Sequence, residues 1–292
     1  MKLKYSLLAA SIVAAFSCVA RAELIVGTDL NSNNGANTAI NQLYAGNRGS
    51  NGGGDQSLQF GDIIQGTASA DVLVGGLGID VLLGGNGDDV IIGGTEDFNS
   101  ANRDRAFGEA GQDIFIWTPG DGNDFFDGGT GTDVLILGLV GEEKDGNGNT
   151  EGAPFFSVNP PNRPGSQDFD GIFIDPVTEL PVVDVVGGPG FCEVLDRQTD
   201  GMDELGLDNL VRFILRGPAN AFEDAIAADP DADQNTLDTG LRIAVHLKQT
   251  EFVVCGSRDG NEIEVFDLRQ TPVAKVSISE LPEKAYNLVI GL

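Results

Sequence analysis

The chain has 292 residues, 45 of them acidic and 17 basic, for a formal net charge of −28, and it contains one histidine. Such acidity argues against nucleic acid and anionic membrane surfaces, which attract lysine and arginine clusters, and it points to cations as partners. Apolar residues make up 41% and supply a packed core, while glycine, at 41 residues, is about double its usual share.

Residues 1–22 read as a signal peptide, to be set aside in fold reasoning. Lys2 and Lys4 give a positive start, and residues 7–16 form an apolar run too short to span a bilayer. Ala20, Arg21 and Ala22 place small residues at the −3 and −1 positions of a cleavage site, so the mature chain would begin at Glu23. Cys18 raises a competing reading, a lipoprotein cut before the cysteine, which bulky Phe16 fits poorly. No later segment is apolar enough to span a membrane. The expected product is exported and soluble, secreted or extracellular, with the periplasm as the other compartment. Removal of residues 1–22 leaves Cys192 and Cys255, and an even pair in an exported chain predicts a disulfide. A catalytic thiol would need a histidine partner, and only His246 exists.

Residues 23–60 are rich in Gly and Asn and read as an N-terminal arm or cap leading into a strand at 63–65. Residues 61–141 then carry an internal repeat. Aligned on aspartate, the copies are GTASADVLV (66–74), GGLGIDVLL (75–83) and GGNGDDVII (84–92). An interrupted copy, GGTEDFNSANRDRAF (93–107), precedes GEAGQDIFI (108–116), PGDGNDFF (119–126) and GGTGTDVLI (128–136).

Each copy pairs a glycine-rich turn with a short apolar strand. Glycine permits positive φ and close approach of carbonyls, so a six-residue turn can wrap a cation. The middle residues of the triplets, Leu73, Leu82, Ile91, Phe115, Phe126 and Leu135, should point inward. One strand buries too little alone, and stacked copies would share a core and align their turns in rows. Residues 61–141 hold 14 acidic side chains against Arg103 and Arg105, so the rows would repel unless metal supplies the countercharge. Oxygen donors without nearby Cys or His select calcium over zinc or copper, and an irregular, carbonyl-rich cage disfavours magnesium. The competing reading is a glycine-rich linker with chance aspartates.

The nonapeptide resembles the RTX (repeats-in-toxin, hemolysin-type) calcium-binding repeat, GGxGxDxUx, over residues 60–140. The resemblance implies a right-handed parallel β-roll with two repeats per turn and several calcium ions held between successive turns. It implies ligand carboxylates at Asp71, Asp80, Asp89, Asp113, Asp124 and Asp133. It implies further ligands at Asp104, although that turn holds no glycines beyond Gly93 and Gly94. Carbonyls would come from Gly75, Gly76, Gly78, Gly84, Gly85, Gly87, Gly93 and Gly94, and from Gly108, Gly120, Gly122, Gly128, Gly129 and Gly131. RTX proteins usually leave the cell through a C-terminal uncleaved signal, whereas this chain opens with a cleavable one.

Residues 142–292 change character, with loops at "KDGNGNTEG" and "NPPNRPG". Runs such as "LVRFILR", "LRIAVHL" and "NEIEVFDL" predict a mostly antiparallel, disulfide-stapled β domain packed against or capping the roll. A short helix is expected at 220–228, with Asn220 as its N-cap. "DPDADQNTLDTG" (229–240) begins like an EF-hand loop but lacks its glycine and closing glutamate, and reads as a solvated acidic turn. The expected fold class is therefore all-β: a parallel β-roll, then this domain.

The chain has no HExxH and no GxSxG, no catalytic residue is assigned, and His246 sits mid-strand. The leading expectation is an exported, non-enzymatic calcium-binding protein with a structural, adhesive or matrix role. An extracellular polysaccharide or a cell surface would be its partner. The alternative is an extracellular, polysaccharide-directed hydrolase, lyase or epimerase that carries the roll as an accessory module.

Overall fold

The computed structural model describes residues 24–26, 63–76, 80–94, 103–118, 122–140, 180–186, 190–196, 207–215 and 243–291. The signal peptide expected at 1–22, nearly all of the arm expected at 23–60, the helix expected at 220–228 and the acidic turn expected at 229–240 lie outside the described residues.

The first run of strands comprises β1 (Leu24–Val26), β2 (Ile63–Gln65), β3 (Val72–Gly76), β4 (Val81–Asn86), β5 (Val90–Gly94) and β6 (Arg105–Gly111). It continues through β7 (Ile114–Trp117), β8 (Phe125–Asp127), β9 (Thr130–Gly131), β10 (Val134–Leu137) and β11 (Leu139–Val140). Then follow β12 (Val183–Asp184), β13 (Gly190–Asp196), β14 (Asn209–Leu215), β15 (Ile243–Lys248) and β16 (Phe252–Gly256). β17 (Ile263–Asp267), β18 (Ala274–Val276) and a helix, α1 (Glu283–Ile290), close the chain.

Two large sheets hold most of these strands, in the orders β1-β3-β5-β7-β10-β16-β17-β18 and β13-β14-β15-β8-β6-β4-β2; β9 pairs with β6, and β11 and β12 form a separate antiparallel pair. From β2 to β8 and on to β10 the chain alternates between them, and neighbours within each sheet are parallel. Residues 72–74 face 90–92, which face 114–116, which face 134–136. Successive levels are 18, 24 and 20 residues apart. The first step is two nonapeptides, and the longer ones absorb insertions that a stacked fold tolerates in its turns. This is a parallel β-roll.

The middle residues Leu73, Leu82, Ile91, Phe115, Phe126 and Leu135 are all 0% exposed and form one core between the sheets, as the repeat predicts. Phe115 and Phe126 stack there with ring centroids 5.4 Å apart. Burying each such side chain contributes roughly 1.5–3 kcal/mol. The outer faces differ. The β3–β5–β7–β10 face carries Val90, Ile92, Ile114 and Ile116 into a second core, closed by Leu281, Ala285, Leu288 and Val289. Strands covered on both sides read as unbroken apolar runs, here VLV, VII, IFI and VLI. The other sheet shows IIQ, RAF and FFD, with half-buried outer positions.

Helix α1 was not expected from the sequence. Pro282 precedes it, and Gly291 ends it in the left-handed conformation, φ 70°. No described helix is long and apolar enough to cross a membrane.

The second half of the chain joins the same two sheets. β15 lies parallel to β8 and β16 parallel to β10, so the strand–turn–strand 243–256 forms one more level of the roll. Beyond it the pairing turns antiparallel, through β14 and β13 on one sheet and β17 and β18 on the other. Cys192 on β13 and Cys255 on β16 form the expected disulfide and tie the sheets together across 63 residues of sequence. A loop of that size corresponds to about 4 kcal/mol in the chain-entropy model. Denatured, unreduced protein lacking residues 1–22 should therefore show no free thiol on titration; two free thiols would contradict the pairing.

Candidate metal centre

Turns that pass between the sheets stack along the edges of the roll. One edge holds turns 66–71, 84–89, 108–113 and 128–133, which lead into β3, β5, β7 and β10. Register alone places the closing aspartates. Each immediately precedes its strand, so its carbonyl accepts the ladder bond of the next level. Val90, Ile114 and Val134 N–H donate in this way to Asp71, Asp89 and Asp113, each at 2.9 Å. A side-chain ladder runs beside this one. Asp71 N–H donates to Asp89 Oδ1 at 2.7 Å, Asp89 N–H to Asp113 Oδ1 at 2.8 Å, and Asp113 N–H to Asp133 Oδ1 at 2.8 Å.

The second oxygen of these carboxylates is the informative one. Oδ2 of Asp89, Asp113 and Asp133 is buried without a hydrogen-bond partner, in residues that are 0% exposed. An ionised carboxylate so placed is destabilising by several kcal/mol unless a cation meets it. Each Oδ2 overhangs the first glycine of its own turn, where a carbonyl of the next level also arrives. A Cβ on Gly84 would stand 2.5 Å from Asp89 Oδ2 and 2.8 Å from the Gly108 carbonyl oxygen. Gly108 stands in the same relation to Asp113 and the Gly128 carbonyl, and Gly128 to Asp133 and the Gln249 carbonyl. Glycine is required because any side chain would fill the space these oxygens border. Gly111, at φ 155°, lies so close to the Gly87 carbonyl that a Cβ would collide with it. Among the described residues no three His, Cys, Asp or Glu side chains gather at one point. The donors at each level are one carboxylate and backbone carbonyls, a hard-oxygen set that fits calcium.

The opposite edge repeats the arrangement. Asp80 N–H donates to Asp104 Oδ1 at 2.6 Å and Asp104 N–H to Asp124 Oδ1 at 2.9 Å, and all three residues are 0% exposed. Asp104 thus holds the same place as its neighbours despite its glycine-poor turn. Gly75 faces Asp80 Oδ2 and the Gly93 carbonyl, and Gly76 pairs with Gly94 at the strand ends. Gly85, Gly87, Gly129 and Gly131 take positive φ in the first edge's turns. The Gly122 carbonyl accepts from Trp117 Nε1 at 3.2 Å. Gly78 and Gly120 lie outside the described residues. This edge stops after Asp124, because β15 brings fully buried Val245 to the corresponding position. His246 lies in β15; its N–H donates to the Asp124 carbonyl at 2.8 Å, and burial lowers its pKa.

Three features escaped the sequence reading. Thr67 donates from N–H and Oγ1 to Asp71 Oδ2, at 2.6 and 2.8 Å, so the first level differs from those below it. Glu251 Oε2 accepts from Asp133 N–H at 2.7 Å, extending the carboxylate ladder beyond the repeats. Lys284, on α1, bonds through Nζ to the Asp88 carbonyl and brings a countercharge from outside residues 61–141. The interleaved Thr in GTASAD was a readable signal; the other two depend on contacts distant in sequence.

Burial is the leading cause that raises these carboxyls, Asp89 to about 6 and Asp113 and Asp133 to about 7, with neighbouring carboxylates adding to the rise. The Lys284 ammonium opposes the shift at Asp89. The metal-free roll therefore binds protons that the unfolded chain releases. That stabilisation is full below about pH 4 and is lost as pH rises through about 6 to 7. In chelator, acidification from about pH 8 to about pH 5 should increase the β signal in circular dichroism. A constant or falling signal would contradict this.

Comparison with known proteins agrees with the geometry for one segment. Residues 61–97 and 120–139 match the family model for the RTX calcium-binding nonapeptide repeat, in four copies. No curated protein and no solved structure matches the chain. The segment between residues 61 and 139, with its turns stacked on buried aspartates, is built from RTX calcium-binding nonapeptide repeats.

Proposed function

We propose that this chain is an exported, non-enzymatic calcium-binding protein whose roll folds on meeting calcium outside the cytoplasm. It then serves as a structural, adhesive or matrix component at a cell surface or against extracellular polysaccharide. The observation that carries the calcium reading is the file of fully buried carboxylates at Asp89, Asp113 and Asp133, each with an unpartnered Oδ2.

Bound calcium supplies positive charge where burial has removed water. The chain's own residues do the remainder. Asp71, Asp89, Asp113 and Asp133 on one edge, and Asp80, Asp104 and Asp124 on the other, present carboxylate to the turns, with glycine carbonyls beside them. The Oδ1 atoms of Asp89, Asp104, Asp113, Asp124 and Asp133 accept from the backbone of the adjacent level and hold the levels in register. An ion at one level therefore favours docking of the next, and binding free energy becomes folding free energy. The disulfide suits a compartment that is oxidising.

Circular dichroism should show most of the β signal lost in EGTA and regained in calcium. Asp89→Asn should raise the calcium midpoint at least about tenfold, equivalent to about 1.4 kcal/mol. Exposed Glu262 lies away from the turns, and Glu262→Gln, which removes the same charge, should move the midpoint less than about twofold. Equal shifts would mean that bulk acidity binds the ion, and an unchanged β signal in EGTA would sink the proposal.

A further inference from the structure

We infer that the file of cation sites runs one level past the repeats, where Asp133, Gln249 and Glu251 build a further calcium site that residues 120–139 cannot complete alone. This rests on the calcium reading above.

The level is built like those before it. Asp133 N–H donates to Glu251 Oε2 at 2.7 Å, as Asp113 N–H does to Asp133 Oδ1 at 2.8 Å. Phe252 N–H donates to the Asp133 carbonyl at 3.1 Å, the bond that Val134 makes to Asp113 at 2.9 Å. Glu251 therefore occupies the position an aspartate holds elsewhere. The turn 249–251 is shorter than 128–133, and the extra methylene of glutamate lets the carboxylate reach the same ladder.

A second, independent observation points to a ligand. Asp133 is 0% exposed, and its Oδ2 has no hydrogen-bond partner. That oxygen stands over Gly128 together with the Gln249 carbonyl oxygen. Asp89 Oδ2 and the Gly108 carbonyl oxygen meet over Gly84 in the same way. Gln249 holds φ 47°, a region side chains rarely enter, and its N–H is fixed by Asp208 Oδ2 at 2.8 Å. The strain is localised where the carbonyl is aimed.

Two cations lie in this region, and the charge of one, Arg269, reaches Glu251, but their bonds go to other carboxylates. Lys248 Nζ lies 2.8 Å from Asp127 Oδ2, and Arg269 binds both oxygens of Asp267 at 2.8 and 2.9 Å. A carboxylate with carbonyls, and no sulfur or imidazole, calls for a hard divalent cation. The second half of the chain would thus contribute ligands as well as strands.

Equilibrium dialysis with radioactive calcium, on the disulfide-intact chain, tests this. Glu251→Gln should bind one ion fewer than wild type and keep the others. Unchanged stoichiometry and midpoint in a folded Glu251→Gln variant would overturn the inference and leave calcium binding by the repeats intact. A wild-type chain that binds no calcium would overturn both. Should the variant fail to fold, anomalous scattering from wild-type crystals grown in calcium decides: a peak in contact with Asp133 Oδ2 and the Gln249 carbonyl is expected. Peaks beside Asp89 and Asp113 with none beside Gln249 would refute the site.

Discussion

The constraint on which the rest of this structure depends is the burial of carboxylates in file. Asp71, Asp89, Asp113 and Asp133 on one edge, and Asp80, Asp104 and Asp124 on the other, are all 0% exposed. Desolvation of an anion is among the largest unfavourable contributions a fold can carry. The register answers half of it, since backbone N–H groups occupy one oxygen along the file. At Asp89, Asp113 and Asp133 the other oxygen has no hydrogen-bond partner, and the glycines and carbonyls of the turns border a space beside it that a cation would fit.

The stacked strands follow from the same geometry. A turn that closes on an aspartate delivers the next residue directly into the ladder, so the apolar triplet enters its sheet without slack. Leu82, Ile91 and Phe126 then meet in one core. The outer face of one sheet needs further cover, which α1 provides through Ala285, Leu288 and Val289. Lys284 on that helix reaches the turn at Asp88, so the cap of the apolar face also touches the ion file.

Much of this was legible in the sequence because the repeat is periodic. Nine-residue spacing gave the strands, the inward residues and the aspartate positions, and the even cysteine pair gave the disulfide. The legibility failed where periodicity failed. "LKQTEFVVC" contains no glycine pair, yet it completes a level of the roll, because register with β8 and β10 places it there rather than any local signal. Helix α1 was readable in principle: Pro282 before it, Gly291 after it, and Leu281, Ala285, Leu288 and Val289 on one face. The countercharge from Lys284 was not, since counting charges in a window assumes that neighbours in sequence are neighbours in space.

The central claim is that the side-chain ladder is held only when a cation meets the second carboxylate oxygen. Amide hydrogen exchange at the N–H groups of Asp71, Asp89 and Asp113 reads it directly, because each donates to the aspartate of the adjacent level. These amides should be strongly protected in calcium and exchange at nearly unprotected rates in chelator at neutral pH. Equal protection in both conditions would show that the carboxylate file stands without its ion, and would contradict the account.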